Sequence, residues 1–469
     1  MSINRLFDRA YRDYVADGEV LRILNIIILS VAVGTFLFTA QLGIAFTGYI
    51  SALGAGEFVF GVVSAMPVIA GLLQIPASYL AQKSGKYKQM FLIGGLLQRI
   101  SWLVIAFIPF LFPVEGSQIW ALVVLVTLGA MGGSFIAITH MTLFASVVPA
   151  DIRGRYITTR HKVTTVCGII SGLCIAFMLD NMPGFYGYTL VFAIGGIAGI
   201  IDILMYTGVK FSSIPKKTDG YSLMNGIRGC FTSKRMRNFL IYWTYWFFVV
   251  NLTAPYFGLY AIDVLGLSFT SIIVLGTIVA QALTLLVVSK WGVFLDRYGS
   301  VPTLMIAATT ASVTMSAWLF AVPGSVVPII VFNFFGGIFW CAIDACFINM
   351  QITHTPTEDR PTTLAIFALF TSGAAAVALI TGGALLEVFY PVMNRLDFTF
   401  FGTPFDNFKL LFAIGIVLRF TGIIIFLPKV WNEKEMTNRS AYAMAYDEAS
   451  YRVRYELSRL RFPRRRDRE

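Results

Sequence analysis

The chain has 469 residues, of which 57% are hydrophobic and only 13% are charged. A water-soluble protein of this length needs more polar surface, so this composition excludes a soluble enzyme or soluble binding domain. The formal net charge of +11 is compatible with nucleic-acid binding, but its distribution, described below, predicts no nucleic-acid partner. The five cysteines and three histidines have no metal-site or disulfide spacing, so we predict no metal and no cofactor.

Apolar runs that are long enough to cross a bilayer recur twelve times along the chain. A transmembrane helix needs about 20 apolar residues. The runs are interrupted by glycine and lack the alternating ten-residue segments of a β-barrel. We predict an all-α polytopic membrane protein with twelve transmembrane helices, spans 1 to 12, near 22–50, 57–82, 90–113, 118–148, 157–180, 185–209, 238–264, 269–295, 302–322, 325–353, 362–389 and 407–428.

Lysine and arginine are concentrated in alternate connections between the spans. The connection after span 2 carries Lys83, Lys86 and Lys88, and the one after span 4 carries Arg153 and Arg155. The connections after odd-numbered spans hold almost no basic residues. Because basic connections stay on the cytoplasmic side, we predict a multi-pass protein of the cell membrane with both termini in the cytoplasm.

The two ends of the chain are charged and lie outside the predicted spans. Residues 1–20 have apolar residues at helical spacing, which predicts a cytoplasmic amphipathic segment on the membrane surface. Residues 430–469 form a cytoplasmic basic tail that is suited to anionic lipid. Each end is either a simple topology signal or a binding site for a partner, and the sequence leaves both alternatives open.

Three short matches in the same order indicate an internal repeat. Leu53-Gly54 follows span 1, and Leu265-Gly266 follows span 7, 212 residues later. The segments 78–86 and 292–300 correspond at an offset of 214 residues, and 149–153 and 356–360 at an offset of 207. We therefore predict two six-helix bundles, 21–209 and 238–429, that are joined by a basic cytoplasmic linker, 210–237.

The end of span 8 and the connection after it contain a motif that is typical of one protein family. Gly292-x-x-x-Asp296-Arg297-x-Gly299 resembles the signature loop of the major facilitator superfamily. The equivalent first-half loop is degraded, because Ser78 and Gln82 replace the first glycine and the aspartate. The resemblance implies the MFS fold, two pseudo-symmetric six-helix bundles with the substrate between them, and transport by alternating access.

The signature loops are candidate cytoplasmic gates. An Asp and an Arg can pair, or cap nearby helix ends, when the cytoplasmic side is closed. The alternative is a charge cluster that only fixes topology. The candidate gating residues are Gly292, Asp296, Arg297, Gly299, Lys83, Gly85, Arg153, Arg155 and Arg360.

Two ionisable residues occupy matching places in spans 4 and 10. His140 and Asp344 each lie seven residues after the second glycine of a Gly-Gly pair. Ionisable groups inside a span are costly and are functional candidates. The resemblance implies that spans 1, 4, 7 and 10 line the cavity, where an Asp and a His could couple transport to protons. The alternative is that both residues are satisfied locally.

Arg99 and Asp202 have opposite charge at about the same depth, ~12–14 Å, in spans 3 and 6. The resemblance implies that these spans lie behind the cavity, so we predict a structural ion pair. Arg419 occupies the matching place in span 12 without an evident acidic partner in span 9, and we expect it to extend toward the interface.

Further polar and aromatic residues in the cavity-lining and neighbouring spans could contact a solute. Pro255 in span 7 allows a kink beside three of them. Aromatic rings with amide and hydroxyl groups suit sugars or amphipathic organic compounds, although ordinary membrane packing is the alternative. The candidate substrate cavity comprises Gln41, Asn251, Tyr256, Tyr260, Gln281, Asn333 and Trp340.

The sequence therefore predicts a secondary active transporter, monomeric in the lipid bilayer, that moves a small organic solute together with protons. An uncoupled facilitator or a lipid flippase of the same fold remains an alternative. A membrane sensor or scaffold is another, but it would need a sizeable soluble domain. The chain has no catalytic motif of an intramembrane enzyme.

Overall fold

The computed structural model describes residues 18–148, 153–209, 231, 234–354, 360–396 and 398–430. Most of the predicted N-terminal segment, of the 210–237 linker and of the C-terminal tail lies outside these residues. Within the described chain the structure is almost entirely helical.

The first half contains six long helical spans in chain order. Span 1 bends at Gly43 and span 2 bends after Gly71, where short breaks interrupt the helices. The helices are Gly18–Leu42 and Ile44–Ala52 (span 1), Glu57–Gly71 and Gln74–Ser84 (span 2), Tyr87–Ile105 (span 3), Glu115–Val147 (span 4), Arg153–Asn181 (span 5) and Phe185–Met205 (span 6).

The second half repeats this order. A hairpin of two-residue strands, Thr399–Phe400 and Thr403–Pro404, connects spans 11 and 12. The helices are Lys234–Asp263 (span 7), Phe269–Ser271, Ile272–Ile278 and Val279–Tyr298 (span 8), Ser300–Thr314 and Met315–Phe320 (span 9), Val327–His354 (span 10), Arg360–Leu396 (span 11), and Asn407–Thr421, Gly422–Phe426 and Leu427–Val430 (span 12).

Ten of the described helices are long and apolar enough to cross a membrane. The other two are spans 3 and 7. Span 3 contains Gln98 and Arg99, and span 7 is rich in tyrosine and tryptophan, so their apolar character is weaker. Both pack among the other spans of their half, and the prediction of an all-α polytopic fold is confirmed.

The repeat is visible in the backbone at two pairs of glycines. Gly54 and Gly266, which follow spans 1 and 7, have φ of 75° and 63°. Gly85 and Gly299, which end spans 2 and 8, have φ of 68° and 84°. These left-handed conformations strain residues with a Cβ. Equivalent helices in the two halves therefore end at glycines with positive φ, although ψ differs, 5° at Gly85 and 172° at Gly299.

The core of the first half contains a buried ion pair. Arg99 Nη2 lies 2.9 Å from Asp202 Oδ2, and Ser30 donates to Asp202 Oδ1 at 2.6 Å. The side chain of Gln98 accepts from Arg99 Nη1. Gly34 leaves room for the carboxylate, because a Cβ there would lie 2.7 Å from Asp202 Oδ2. The contacts join spans 1, 3 and 6, and the structural role of the pair stays a prediction.

The two halves meet near one end of the bundle. We call this the acidic end, because Glu57, Asp180, Asp263 and Glu387 lie there, and the other the basic end, which carries Lys83, Lys86 and Lys88. Span 2 packs on span 11, span 1 on span 7, and span 5 on the first turns of span 8.

The halves are less closely packed at the basic end. The helix Gln74–Ser84 of span 2 packs mainly on spans 4 and 3 of its own half. The helix Val279–Tyr298 of span 8 has no buried residue. A Cβ at Gly292 would have no neighbour within 4 Å. Among the described residues, the bundle is therefore closed at the acidic end and open at the basic end.

Replacing Gly337 by alanine should destabilise the second half. A Cβ there would meet the backbone of Ala280 in span 8, with its Cα only 2.8 Å away. Overpacking of this kind costs about 1–3 kcal/mol. We expect a lower thermal unfolding midpoint in detergent for G337A. The matched control is G292A, which enters open space; equal midpoints for the two variants would contradict this prediction.

Removing Asp202 should leave Arg99 buried and without its counter-ion. Loss of one partner of a buried ion pair costs about 3–5 kcal/mol, whereas an apolar replacement of both partners is often tolerated. We expect Asp202→Leu to lower the unfolding midpoint strongly and the double variant Arg99→Met/Asp202→Leu to recover much of the loss. Asp296→Leu, at an exposed position, is the control. A single variant as stable as that control would exclude a structural role.

Candidate transport pathway

Asp344 lies on an exposed face of span 10. Ile348 and Ile352, one and two turns further on, are also exposed, whereas Ile343 and Cys346 are buried in the core of the second half. A carboxylate on this face is reachable from outside the core of its half.

The neighbours of span 10 show where this face points. Phe347 packs on Trp243 of span 7, with ring centroids 4.7 Å apart. Thr284 of span 8 donates to the carbonyl oxygen of Gly337 at 2.8 Å. Because these contacts flank the position of Asp344 on the helix, its carboxylate lies on the side between spans 7 and 8. This is the side on which spans 7 and 10 can line a common cavity.

His140 lies in a different setting from Asp344. It is half-buried, with its Nε2 3.4 Å from Nη2 of Arg160 in span 5. Its ring centroid lies 6.1 Å from that of Phe91 in span 3. Both neighbours belong to the first half. The structure thus places His140 beside a cation, and the Asp344–His140 partnership across the cavity stays a prediction.

Arg419 is buried in the second half, with 1% of its surface exposed. It does not extend to the interface as expected. Its Nη2 lies 3.5 Å from the hydroxyl of Thr253, and its guanidinium carbon lies 5.9 Å from the centroid of the Trp340 ring. Within the described part of the chain, its Nε and Nη1 have no hydrogen-bond partner. Trp340 therefore covers this cation on the side toward span 10.

The amides of the predicted cavity wall differ in exposure. Asn251 and Asn333 are half-buried, and each donates to the carbonyl four residues earlier in its helix, at 2.8 and 3.0 Å. Gln281 is exposed on span 8. Gln41 is buried in span 1, and its Oε1 has no hydrogen-bond partner among the described residues. A buried amide oxygen of this kind has capacity for a water molecule or a solute hydroxyl.

Tyr256 and Tyr260 do not line open space in this conformation. Tyr256 is fully buried, and its hydroxyl donates to the carbonyl of Leu379 in span 11 at 2.6 Å. Tyr260 packs against Trp318 and Phe412 on the rear of span 7. Helical spacing predicts both rings on the side of Asn251, but it does not show that spans 9, 11 and 12 cover them. In this structure the two tyrosines hold helices together.

The candidate gating residues lie at the open basic end. Asp296 and Arg297 are exposed, and the Arg297 guanidinium carbon lies 5.2 Å from the Tyr298 ring centroid. Lys83 Nζ lies 5.9 Å from the ring of Tyr79. Each of these ring contacts is with a residue of the same helix. The side chains of Arg153, Arg155 and Arg360 lie outside the described part of the chain.

Several interacting residues were not singled out from the sequence. Lys88 Nζ donates to the carbonyls of Thr207 and Val209 at the end of span 6. Arg160 of span 5 reaches His140. Asp180 and Glu387 bind helix starts in the opposite half. Carboxylates near helix ends are common, so the sequence alone does not predict that Asp180 and Glu387 bind helices of the opposite half.

Solved structures with this architecture include the nucleoside transporter NupG, which has 14% sequence identity, a TM-score of 0.64, and coverage of 87% of this chain and 99% of NupG. A D-xylose-proton symporter has 15% identity, a TM-score of 0.65, and coverage of 88% and 99%. An auto-inhibited peptide transporter of the POT family has 11% identity, a TM-score of 0.67, and coverage of 89% and 98%. At these identities the likeness concerns the fold. No curated protein matches the chain by sequence.

The family assignment comes from the sequence match. The family model described as Major Facilitator Superfamily matches residues 24–291 and 289–441, from span 1 to span 12. The chain therefore belongs to the Major Facilitator Superfamily, and it is a multi-pass membrane transporter and not an enzyme.

Proposed function

We propose that this chain carries a small organic solute across the cell membrane by alternating access, in symport with protons, with its basic end in the cytoplasm. The observation that carries the coupling proposal is Asp344, a carboxylate within a span on a face that its own half leaves exposed. A carboxylate within a membrane span is energetically costly, and such a residue is therefore a functional candidate by default.

The orientation rests on the distribution of lysine and arginine. Lys83, Lys86 and Lys88 lie at one end of the bundle, and Glu57 and Asp180 lie at the other. Cytoplasmic loops carry the excess of basic residues. With this orientation, a bundle that is open at the basic end is in an inward-facing conformation, and the solute leaves or enters from the cytoplasm.

The solute class is inferred from polar groups on apolar walls. Asn251, Asn333 and Trp340 are half-buried on spans 7 and 10. Amides with aromatic surfaces bind neutral molecules that combine hydroxyl groups with a flat apolar face. Two structures of the same fold are named for a nucleoside and for D-xylose with protons, and these solutes have this chemistry.

An uncoupled facilitator or a flippase for an amphipathic lipid is the second candidate. A groove of about 370 Å³ lies between spans 7, 11 and 12, and its surface is almost wholly apolar. A groove of this kind could hold an acyl chain. Residues that line it include Leu240, Ile241, Tyr245, Phe248, Phe370 and Phe426.

The variant Asp344→Asn should separate transport from proton coupling. An amide keeps the size and polarity of the side chain, but unlike a carboxyl group it does not bind and release a proton. In proteoliposomes screened with nucleosides and pentoses, we expect at least about a tenfold loss of proton-driven accumulation with exchange of the same solute retained. Glu115→Gln, at an exposed position outside the candidate pathway, is the matched control. Accumulation that survives in D344N would refute the coupling role, and no proton flux in the unmodified protein would favour the facilitator.

The orientation can be measured by labelling of single cysteines. In a variant without the native cysteines, Val114→Cys should react with a membrane-impermeant maleimide on intact cells, because Val114 is exposed at the acidic end. Lys86→Cys, at the basic end, should react only after the cells are permeabilised. The reverse pattern would place the basic end outside.

A further inference from the structure

The start of span 8 is held by a side chain from the other half. Asp180, near the end of span 5, accepts the backbone N–H of Phe269 through Oδ1 at 2.8 Å and that of Thr270 through Oδ2 at 2.9 Å. The first N–H groups of a helix have no partner within it, and the helix dipole favours a negative charge there. Asp180 therefore acts as an N-terminal cap supplied across the interface between the halves.

The start of span 2 is held in the same way. Glu387 of span 11 accepts the backbone N–H of Phe58 through Oε1 at 3.1 Å. The same oxygen approaches Gly56, where a Cβ would lie 2.9 Å from it. Gly56 precedes the helix and lacks a side chain that caps it. The cap of span 2 thus also comes from the opposite half.

The two caps are related by the internal repeat. Thr270 lies 212 residues after Phe58, and Glu387 lies 207 residues after Asp180. The offset of 212 also relates the Leu-Gly pairs after spans 1 and 7, and the offset of 207 also relates the segments 149–153 and 356–360. The two carboxylates therefore occupy equivalent positions in the repeat. Asp180 caps span 8, and Glu387 caps span 2, which is the equivalent helix of the first half.

A third contact lies at equivalent positions of spans 1 and 7. Ser51 donates to Asp263 Oδ1 at 2.7 Å, and these two residues are 212 positions apart. Residues that are equivalent in the repeat and touch each other lie on the pseudo-twofold axis. The acidic end is thus closed by one contact on the axis and by two caps on either side of it.

Close contacts at two glycines behind the caps follow the same symmetry. On one side, a Cβ at Gly61 would meet the Leu379 carbonyl oxygen at 2.5 Å; on the other, a Cβ at Gly172 would meet Ile273 at 3.3 Å. Ile273 is equivalent to Gly61, and Leu379 is equivalent to Gly172, at the offsets given above. Each interface therefore opposes one glycine to one aliphatic residue.

We propose that Asp180 and Glu387 are a symmetric pair of gate residues that close the acidic end of the pathway by capping helices of the opposite half. Both side chains are exposed, so water can replace the capping bonds when the halves separate. Such contacts bias the conformational equilibrium without locking it. The inference rests on the alternating access proposed above.

The experiment measures the conformational equilibrium and needs no substrate. Nitroxide labels at Val114 and Val327 report the separation of the halves at the acidic end, and labels at Lys86 and Lys234 report it at the basic end; all four positions are exposed. Distances are measured by pulsed electron spin resonance in nanodiscs. The labelled protein has serine in place of the native cysteines, Cys167, Cys174, Cys230, Cys341 and Cys346.

We expect Asp180→Leu and Glu387→Leu to shift the protein toward the state that is open at the acidic end. The expected change is about fivefold in the ratio of open to closed molecules for each variant, which is the size of effect that follows the loss of a helix cap. The double variant should show about 25-fold, since the two carboxylates cap different helices and share no partner. The control is Glu115→Leu, at an exposed position of the same end.

A second variant removes the donor and keeps the carboxylate. Proline is tolerated in the first turn of a helix, so Thr270→Pro deletes one capped N–H and should give a shift in the same direction, even where a leucine variant folds poorly. Distances like those of the E115L control in all these variants would overturn the proposal. Solute uptake is measured separately. Distance shifts without transport of any solute would refute the proposed function and leave the gate intact.

Discussion

In the hydrocarbon core of a bilayer, an unpaired peptide N–H or C=O costs several kcal/mol, so each span must satisfy its own backbone as a helix. This constraint leaves free backbone groups only at the helix ends. In this transporter the free N–H groups of spans 2 and 8 are bound by Glu387 and Asp180 of the opposite half. The need to satisfy the backbone makes each span a helix. It also leaves N–H groups at the helix starts, and the two halves bind each other through these groups.

The two halves share a backbone plan but differ in how they handle buried charge. In the first half, Arg99 is paired with Asp202 and with neighbouring polar groups. In the second half, Arg419 is fully buried against Thr253 and Trp340. Asp344, by contrast, lies on an exposed face of span 10.

Alternating access needs contacts that are strong enough to close one end and weak enough to open it again. Exposed carboxylates at helix starts meet both conditions, because water substitutes for the bond when it breaks. Buried contacts between the halves, such as the ring of Phe60 in span 2 against Tyr256 in span 7, add packing to the closed end. Because of the pseudo-twofold relation, Asp180 and Glu387 make the same kind of contact on the two sides of the interface.

The sequence by itself determined the twelve spans, the repeat and the superfamily, because hydrophobic length, charge alternation and the Gly292–Gly299 motif are local features. It also indicated Arg99 and Asp202 as partners through their equal depth. Only the tertiary structure decided that Tyr256 and Tyr260 are packed against spans 11 and 12, that His140 lies beside Arg160, and which carboxylates join the halves. Those partners are 89 and 329 residues apart. Helix rotation and bundle docking decide such pairings, and no local pattern encodes them.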